Sequence, residues 1–241
     1  MLGITHAASG RALWAVGCAG IQATTDTTPP PTLFAAGLLI AGWAAYLPDL
    51  DHPHSKAARS FGPISGLIAW MVSKAGHRTI THTLPATLLT GALVAGSSRV
   101  VAEVLVWGCG ILNRVPPATH TLHPSTNWWP WIAFAAMVGY LAHLLGDACT
   151  VSGVPLFWPA QNLHSSTHLL PRWLRLHTGH RPELFGVLPT LWVIMACGIL
   201  WWAATYRSHP APVWLLAAGV AWSIGISIGT KAEKRAQRTH A

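Results

Sequence analysis

The sequence predicts an all-α fold: a polytopic integral membrane helical bundle of about six spans, with a His/Asp metal site at one membrane face. Three observations predict it. Hydrophobic residues make up 51% of the 241-residue chain and charged residues 9%, where a soluble domain carries about 25% charged. Several uncharged stretches reach bilayer length. The few aspartates and many of the histidines gather where those stretches end.

A short helix over about 7–22 comes first, just after Thr5-His6. No basic region precedes an apolar core there, so the segment reads as part of the fold rather than as a cleaved signal. "TTDTTPPPT" forms its turn. The next segment, 33–48, is apolar from Leu33 and ends at Pro48, inside "PDLDH". Residues 62–73 are apolar but too short to span, and read as lying at the interface. Residues 79–98, 184–206 and 208–230 contain no Asp, Glu, Lys or Arg. Each has about the 20 residues that cross a hydrocarbon core of about 30 Å. Residues 99–127 carry Arg99, Glu103, Arg114 and "VPPATHTLHPSTN", and read as a partial hairpin outside. Segment 128–148 starts in "NWWPW", a cluster suited to a membrane interface. Asp147 is its only charge, and the only one between Arg114 and Arg172.

The net charge of +8 fits basic residues gathered in cytoplasmic loops. No nucleic-acid recognition motif accompanies it, so no nucleic acid is expected as a partner. Residues 1–230 read as one membrane-embedded domain and 231–241 as a basic cytoplasmic tail. Oriented backwards from that tail, segment 128–148 descends to the inner face, 79–98 rises from it and 33–48 descends to it. The four cysteines, Cys18, Cys109, Cys149 and Cys197, are scattered with no C-x-x-C spacing, which excludes a thiolate zinc framework.

This topology brings four motifs to one face: Thr5-His6, "PDLDH" (48–52), "GHRTITH" (76–82) and "HLLGD" (143–147). In the last, His143 and Asp147 are four apart and share a helix face. In "PDLDH", Pro48 interrupts a helix and lets Asp49, Asp51 and His52 turn towards a common point. In "GHRTITH", His77 and His82 bracket a helix start, and Arg78 is placed to meet an anionic oxygen. An intramembrane carboxylate is costly and usually functional. The metal ligands expected are His6, Asp49, His52, His77, His143 and Asp147. Asp51, Arg78 and His82 are expected as catalytic groups, Asp51 as base or bridging ligand. Imidazole with carboxylate suits a divalent ion, zinc first, with manganese or iron as alternatives, as one or two ions. His164 and His168 in "HSSTH" are four apart and could bind metal on a helix, but their neighbourhood reads as loop; His120 and His123 fall on the opposite face.

The blocks "TH…G", "LPDLDHPHS", "GHRTITHTL", "YLAHLLGDACTVSGVPLFWP" and "LHTGHRPE" resemble, in order, those of the YdjM-type family. That family is described as LexA-regulated, inner-membrane, metal-dependent hydrolases of bacteria. The resemblance implies a bacterial inner-membrane protein, which the apolar segments and basic tail make multi-pass with a cytoplasmic C-terminus. It adds Thr178, Gly179 and Glu183 as a late motif returning to the site. "HTLP" and "DACTVSGV" depart from the family's usual "HSLL" and "D.LTP.GV". A looser similarity to zinc-dependent phospholipase C points towards phosphodiester chemistry.

The function expected is a membrane-bound metal-dependent hydrolase acting through activated water on a phosphoester or lipid-type substrate. Its partners are membrane lipids and a small-molecule or lipid substrate. The alternatives are a divalent-metal transporter and a metal-stabilised membrane protein without catalysis. Transport calls for a site at mid-membrane; the motifs here sit at segment ends.

Overall fold

In hydrocarbon the backbone must satisfy its own polar groups, so long apolar runs without breakers become helices. The computed structural model describes residues 1–25, 27–52, 54–60, 62–111 and 128–205, with the side chains of 105–111 and 205 outside that description. It contains α1 (Gly3–Thr25), α2 (Pro31–Ala44), α3 (Gly62–Ser73), α4 (Leu84–Ile111), α5 (Trp128–Ala148) and α6 (Leu188–Thr205). Among the described residues no strand forms; two isolated bridges stand in for one. The protein is all-helical, as the sequence predicts.

Local chemistry sets the helix ends. Pro31 opens α2 at a position where its missing N–H costs nothing. Pro48 then stops the chain from continuing as α-helix, and Leu47–Asp51 tightens into a 3₁₀ turn. Thr83 caps α4 through its hydroxyl, which accepts from the Ala86 N–H at 3.3 Å. Before α6, Pro182–Val187 widens into a π-helical turn. Pro189 lacks the N–H that an α-helix would offer the Phe185 carbonyl.

Four helical stretches among the described residues are long and apolar enough to cross a membrane: Pro31–Asp51, Leu84–Val104, Trp128–Ala148 and Pro182–Ala204. At 23 residues α1 has the length too, but it sits among the other helices with Arg11 only 7% exposed. Of the six spans expected, the last, 208–230, lies outside the described residues, as do the tail 231–241 and the "THTLH" loop. One expectation is corrected. Residues 99–111 are not part of a hairpin, because α4 runs through them as one 28-residue helix. Arg99 and Glu103 pair one turn apart at 3.2 Å on its exposed side, so these charges support the helix instead of ending it. The apolar 62–73 stretch forms α3 as a separate short helix with Leu67, Trp70 and Met71 exposed.

The core is built on α1, which packs against α2, α5 and α6, while α2 and α4 each pack on α5. At its centre Phe34 stacks on Trp202 with centroids 4.1 Å apart, and the Trp14 indole N–H donates to the Phe34 carbonyl at 3.0 Å. Small residues allow this closeness. A Cβ on Gly10 of α1 or Gly139 of α5 would strike the Ala41 carbonyl of α2, the small-residue contact that membrane helices use in place of a hydrophobic driving force. The result aligns the start of α1, the end of α2, the start of α4 and the end of α5 at one end of the bundle.

Across that end lies the segment 149–181. A connection this long in a compact domain usually serves function. It is anchored by the Val154–Thr167 bridge and the Thr150–Leu176 bridge. The Leu84 N–H at the head of α4 also donates to the Leu156 carbonyl at 3.0 Å. Because Gly139 meets backbone rather than a movable side chain, Gly139→Leu is expected to destabilise the bundle by about 3 kcal/mol or more. Gly96→Leu, at a site with open space around it, is expected to be near neutral. Thermal unfolding of both variants in the same detergent checks the pair.

Candidate metal centre

Two imidazoles face each other at the centre of this end. The Nε2 atoms of His82 and His143 lie 3.3 Å apart, and both residues are fully buried. The far side of each ring is already committed. His143 Nδ1 lies 2.7 Å from the Ala45 carbonyl, which can only accept, so Nδ1 carries the proton. His82 Nδ1 lies 3.0 Å from Thr81 Oγ1 and 3.3 Å from Asp51 Oδ2. Thr81 spends its own proton on Asp51 Oδ2 at 2.8 Å, so His82 Nδ1 must also be the donor. In the neutral form both rings therefore turn a lone pair inward, towards each other. Burial pushes the His82 pKa down, which disfavours filling the gap with an extra proton.

Two carboxylates complete the arrangement. Asp49 Oδ1 is 3.6 Å from His143 Nε2 and 4.0 Å from His82 Nε2. Asp147 Oδ2 is 3.7 Å and 3.8 Å from the same two atoms. A tetrahedral ion with bonds of about 2.0–2.2 Å separates its ligands by about 3.3–3.6 Å, close to the separations of each carboxylate from the two imidazoles. Asp147 Oδ2 is buried without a hydrogen bond; Arg78 Nη2 approaches it at 2.9 Å as an ion pair, off the line a hydrogen bond requires. A buried carboxylate oxygen and two inward-facing ring nitrogens form a group with the spacing to hold a cation.

The other oxygen, Asp147 Oδ1, receives His6 Nε2 at 3.2 Å and the Met1 amino group at 2.7 Å. The His6 ring stacks on His143 with centroids 3.7 Å apart. Gly146 makes room for it: a Cβ there would sit 3.1 Å from His6 Nδ1. Asp51 has no oxygen to spare. Its Oδ1 meets His77 Nδ1 at 2.8 Å, and its Oδ2 accepts from the Arg78 N–H and from Thr81, each at 2.8 Å. The Asp51 hydrogen bond raises the His77 pKa against the opposing effect of burial.

The structure thus brings His6, Asp49, Asp51, His77, Arg78, His82, His143 and Asp147 together. Among the described residues, three groups have the spacing to hold an ion: His6 with His143 and Asp147, Asp49 with His82 and His143, and Asp49 with Asp51 and His77. His52, expected as a ligand, is in none of them. It is exposed, its ring edge-on to His77 at 5.6 Å between centroids, because the 3₁₀ turn ends at Asp51 and His52 is already extended. His77 is 44% exposed and stands behind Asp51. His82, expected as a catalytic group, instead occupies the inner position. His168 Nδ1 meets the Thr150 carbonyl at 3.2 Å, away from the cluster.

Several contributors had no signal in the sequence. The Ala45 carbonyl is backbone, and Thr81 is one threonine among many. Tyr140, one turn before His143, donates to the Thr81 carbonyl at 2.6 Å and holds the 80–82 turn against α5. Glu183 does return to this end of the bundle, but not to the donors. Fully buried, it accepts from the Leu2 N–H at 2.5 Å and the Gly179 N–H at 2.7 Å. It thereby ties the loop to the start of α1, four residues before His6. Thr178 contributes its carbonyl to His180 Nδ1 at 3.3 Å.

These features define a class: an all-helical membrane protein with a buried His/Asp cluster at one end of its bundle. The chain belongs to the YdjM family, described as YdjM inner membrane protein, which it matches over residues 1–228. It is 32% identical over 161 residues to "Inner membrane protein YdjM" of Escherichia coli (strain K12), covering 64% of this chain and 66% of that protein. The Shigella flexneri protein of the same name gives the same figures. "Uncharacterized protein YvsG" of Bacillus subtilis (strain 168) is 29% identical over 130 residues, 54% of this chain and 59% of that one. The chain thus spans just under two thirds of the length of the first two relatives. No solved structure matches it.

Glu183→Ala strands two backbone donors and is expected to cost about 1–3 kcal/mol. Glu183→Gln, which keeps an acceptor oxygen, is expected to recover part of it. Thermal unfolding of the two variants in detergent checks the order.

Proposed function

We propose that this protein is a membrane-bound metal-dependent hydrolase that binds one divalent cation among His82, His143, Asp49 and Asp147. The single observation that carries the reading is the pair of inward-facing imidazole lone pairs beside an unbonded, buried Asp147 oxygen. Imidazole and carboxylate together suit zinc, with manganese or iron as alternatives. One ion is the favoured count, because both Asp51 oxygens are engaged within the protein. When bound, such an ion polarises a substrate oxygen and brings the pKa of a water to about 7.

The chain's own residues then have distinct tasks. Asp51 orients His82 from behind, the carboxylate–histidine pairing that keeps a ligand ring aligned. His77, half-exposed and bonded to Asp51, sits where a proton can pass between the site and solvent. Arg78 stands beside Asp147 and can meet negative charge on a reacting oxygen. His6 and the Met1 amino group balance the outer Asp147 oxygen. A phosphoester or lipid-type substrate fits a site at the end of membrane helices, and the charge pattern favours the cytoplasmic face of the bacterial inner membrane.

Elemental analysis of the purified protein is expected to give about one ion per chain. His143→Ala and Asp147→Ala are expected to lose the ion and, with it, hydrolysis of phosphodiester or phospholipid substrates. Full metal content in both variants would remove these ligands. Metal flux across liposomes without hydrolysis would replace the hydrolase with a transporter. Asp51→Asn is expected to weaken metal affinity about 10–100-fold without abolishing it, read by competition with a chelating dye. Affinity is also expected to fall at acid pH, because protonated imidazoles no longer ligate, with the His82 contribution lost below the ordinary histidine range since burial lowers its pKa. Titrations from about pH 8 down to about pH 5.5 check the direction.

A further inference from the structure

Beside the cluster, on the solvent side of Arg78, lies a cleft of about 200 Å³. It is lined by His77, Arg78, Ser152, His164, Ser165 and Ser166, with Thr79, Gly153, Pro155 and Leu163 filling its walls. We propose that this cleft is an anion subsite that seats a phosphate group of the substrate against the metal centre. The proposal rests on the hydrolase reading for its purpose, but the cleft itself stands on separate residues.

Its lining has one permanent cation and no carboxylate. Arg78 is the unusual member. Its backbone has φ +59°, the only positive φ at a non-glycine among the described residues. That conformation is uncommon for a side-chain-bearing residue and persists where the surroundings impose it, often at functional sites. Here the Arg78 N–H, held on Asp51 Oδ2 at 2.8 Å, imposes it. The guanidinium reaches Asp147 through Nη2, while its Nε is buried without a hydrogen bond. Guanidinium has five donors in a planar fork that matches phosphate, so donors remain for a ligand in the cleft.

The opposite wall is the segment that sequence reading set aside. Ser165 Oγ is spent on the Asn162 carbonyl at 2.7 Å. The side chains of Ser152, His164 and Ser166 make no hydrogen bond among the described residues and face the same space. Two features hold that wall in place. The paired Val154–Thr167 backbone bonds of 2.8 and 3.3 Å pin the segment against residues 152–154. Gly153, at φ +65°, admits the His168 ring where any Cβ would collide. The size suits a phosphate with a small headgroup and is below the range of about 300–1,000 Å³ for drug-sized ligands. Phosphate can arrive on a lipid or on a soluble ester. The same loop exposes Phe157, Leu169 and Trp173, the last by 80%, as an interfacial segment would.

The test uses full-length protein in phosphatidylcholine nanodiscs, with inorganic phosphate as the probe and binding followed by calorimetry. Metal content is measured on the same samples. The double variant His164→Ala/Ser166→Ala is expected to weaken phosphate binding about tenfold, and Ser166→Asp to abolish it, with metal content unchanged in both. Wild-type affinity in both variants, or no phosphate binding by the wild type, overturns the subsite. A wild type that binds phosphate without holding metal sinks the metal-centre reading and leaves the subsite standing. Displacement of phosphate by phosphatidic acid added to the nanodisc supports the subsite with a lipid as its source. Displacement by soluble glycerol phosphate supports it with a soluble ester.

Discussion

The buried carboxylate of Asp147 is the constraint on which the rest of this structure depends. It is the only charge between Arg114 and Arg172, it is 1% exposed, and it sits at the end of an apolar helix. A charge so placed is costly unless compensated, and leaving it half-paired is worse than removing it. Compensation comes from α1 through His6 and the Met1 amino group, and from the 76–82 turn through Arg78. The helices meet at this end because the groups that balance Asp147 come from the ends of different helices.

Close approach makes that convergence possible. Gly10 and Gly139 let α1 and α5 press on the same Ala41 carbonyl of α2, and Gly146 lets His6 lie against α5. A bundle with larger residues there would hold its helices further apart, and His6 would no longer stack on His143. The packing of the membrane half and the chemistry of the polar end are therefore one problem. The second layer follows the same logic. Asp51, 2% exposed, is satisfied entirely by groups from the 77–82 turn, so one carboxylate fixes the backbone of Arg78 and the ring of His82 together.

Much of this was legible along the chain. The uncharged runs announced helices of membrane length, and the four-residue spacing of His143 and Asp147 placed both on one face. Pro48 announced the break after α2. The charges Arg99 and Glu103 misled, because an ion pair one turn apart is compatible with a continuing helix. The order of the histidines misled too: His77 and His82 are five residues apart, and nothing in that spacing says which turns inward. Asp49 and Asp51, two apart in a 3₁₀ turn, divide their roles in a way that composition does not reveal.

By itself the sequence determined the all-helical, membrane-embedded class and the set of residues from which a site would be built. Those follow from hydrophobicity and periodicity, which act locally along the chain. Only the tertiary structure decided which of them face one another. His82 points inward while His77 stays half-exposed, Asp51 stands behind rather than within, and Glu183 secures α1 instead of joining the donors. The Ala45 carbonyl, the Thr81 hydroxyl and the left-handed backbone at Arg78 carry as much of the arrangement as the named motifs do. The physical reason is that a buried polar atom is satisfied by whatever donor or acceptor the fold brings to it, and that partner can lie anywhere in the chain.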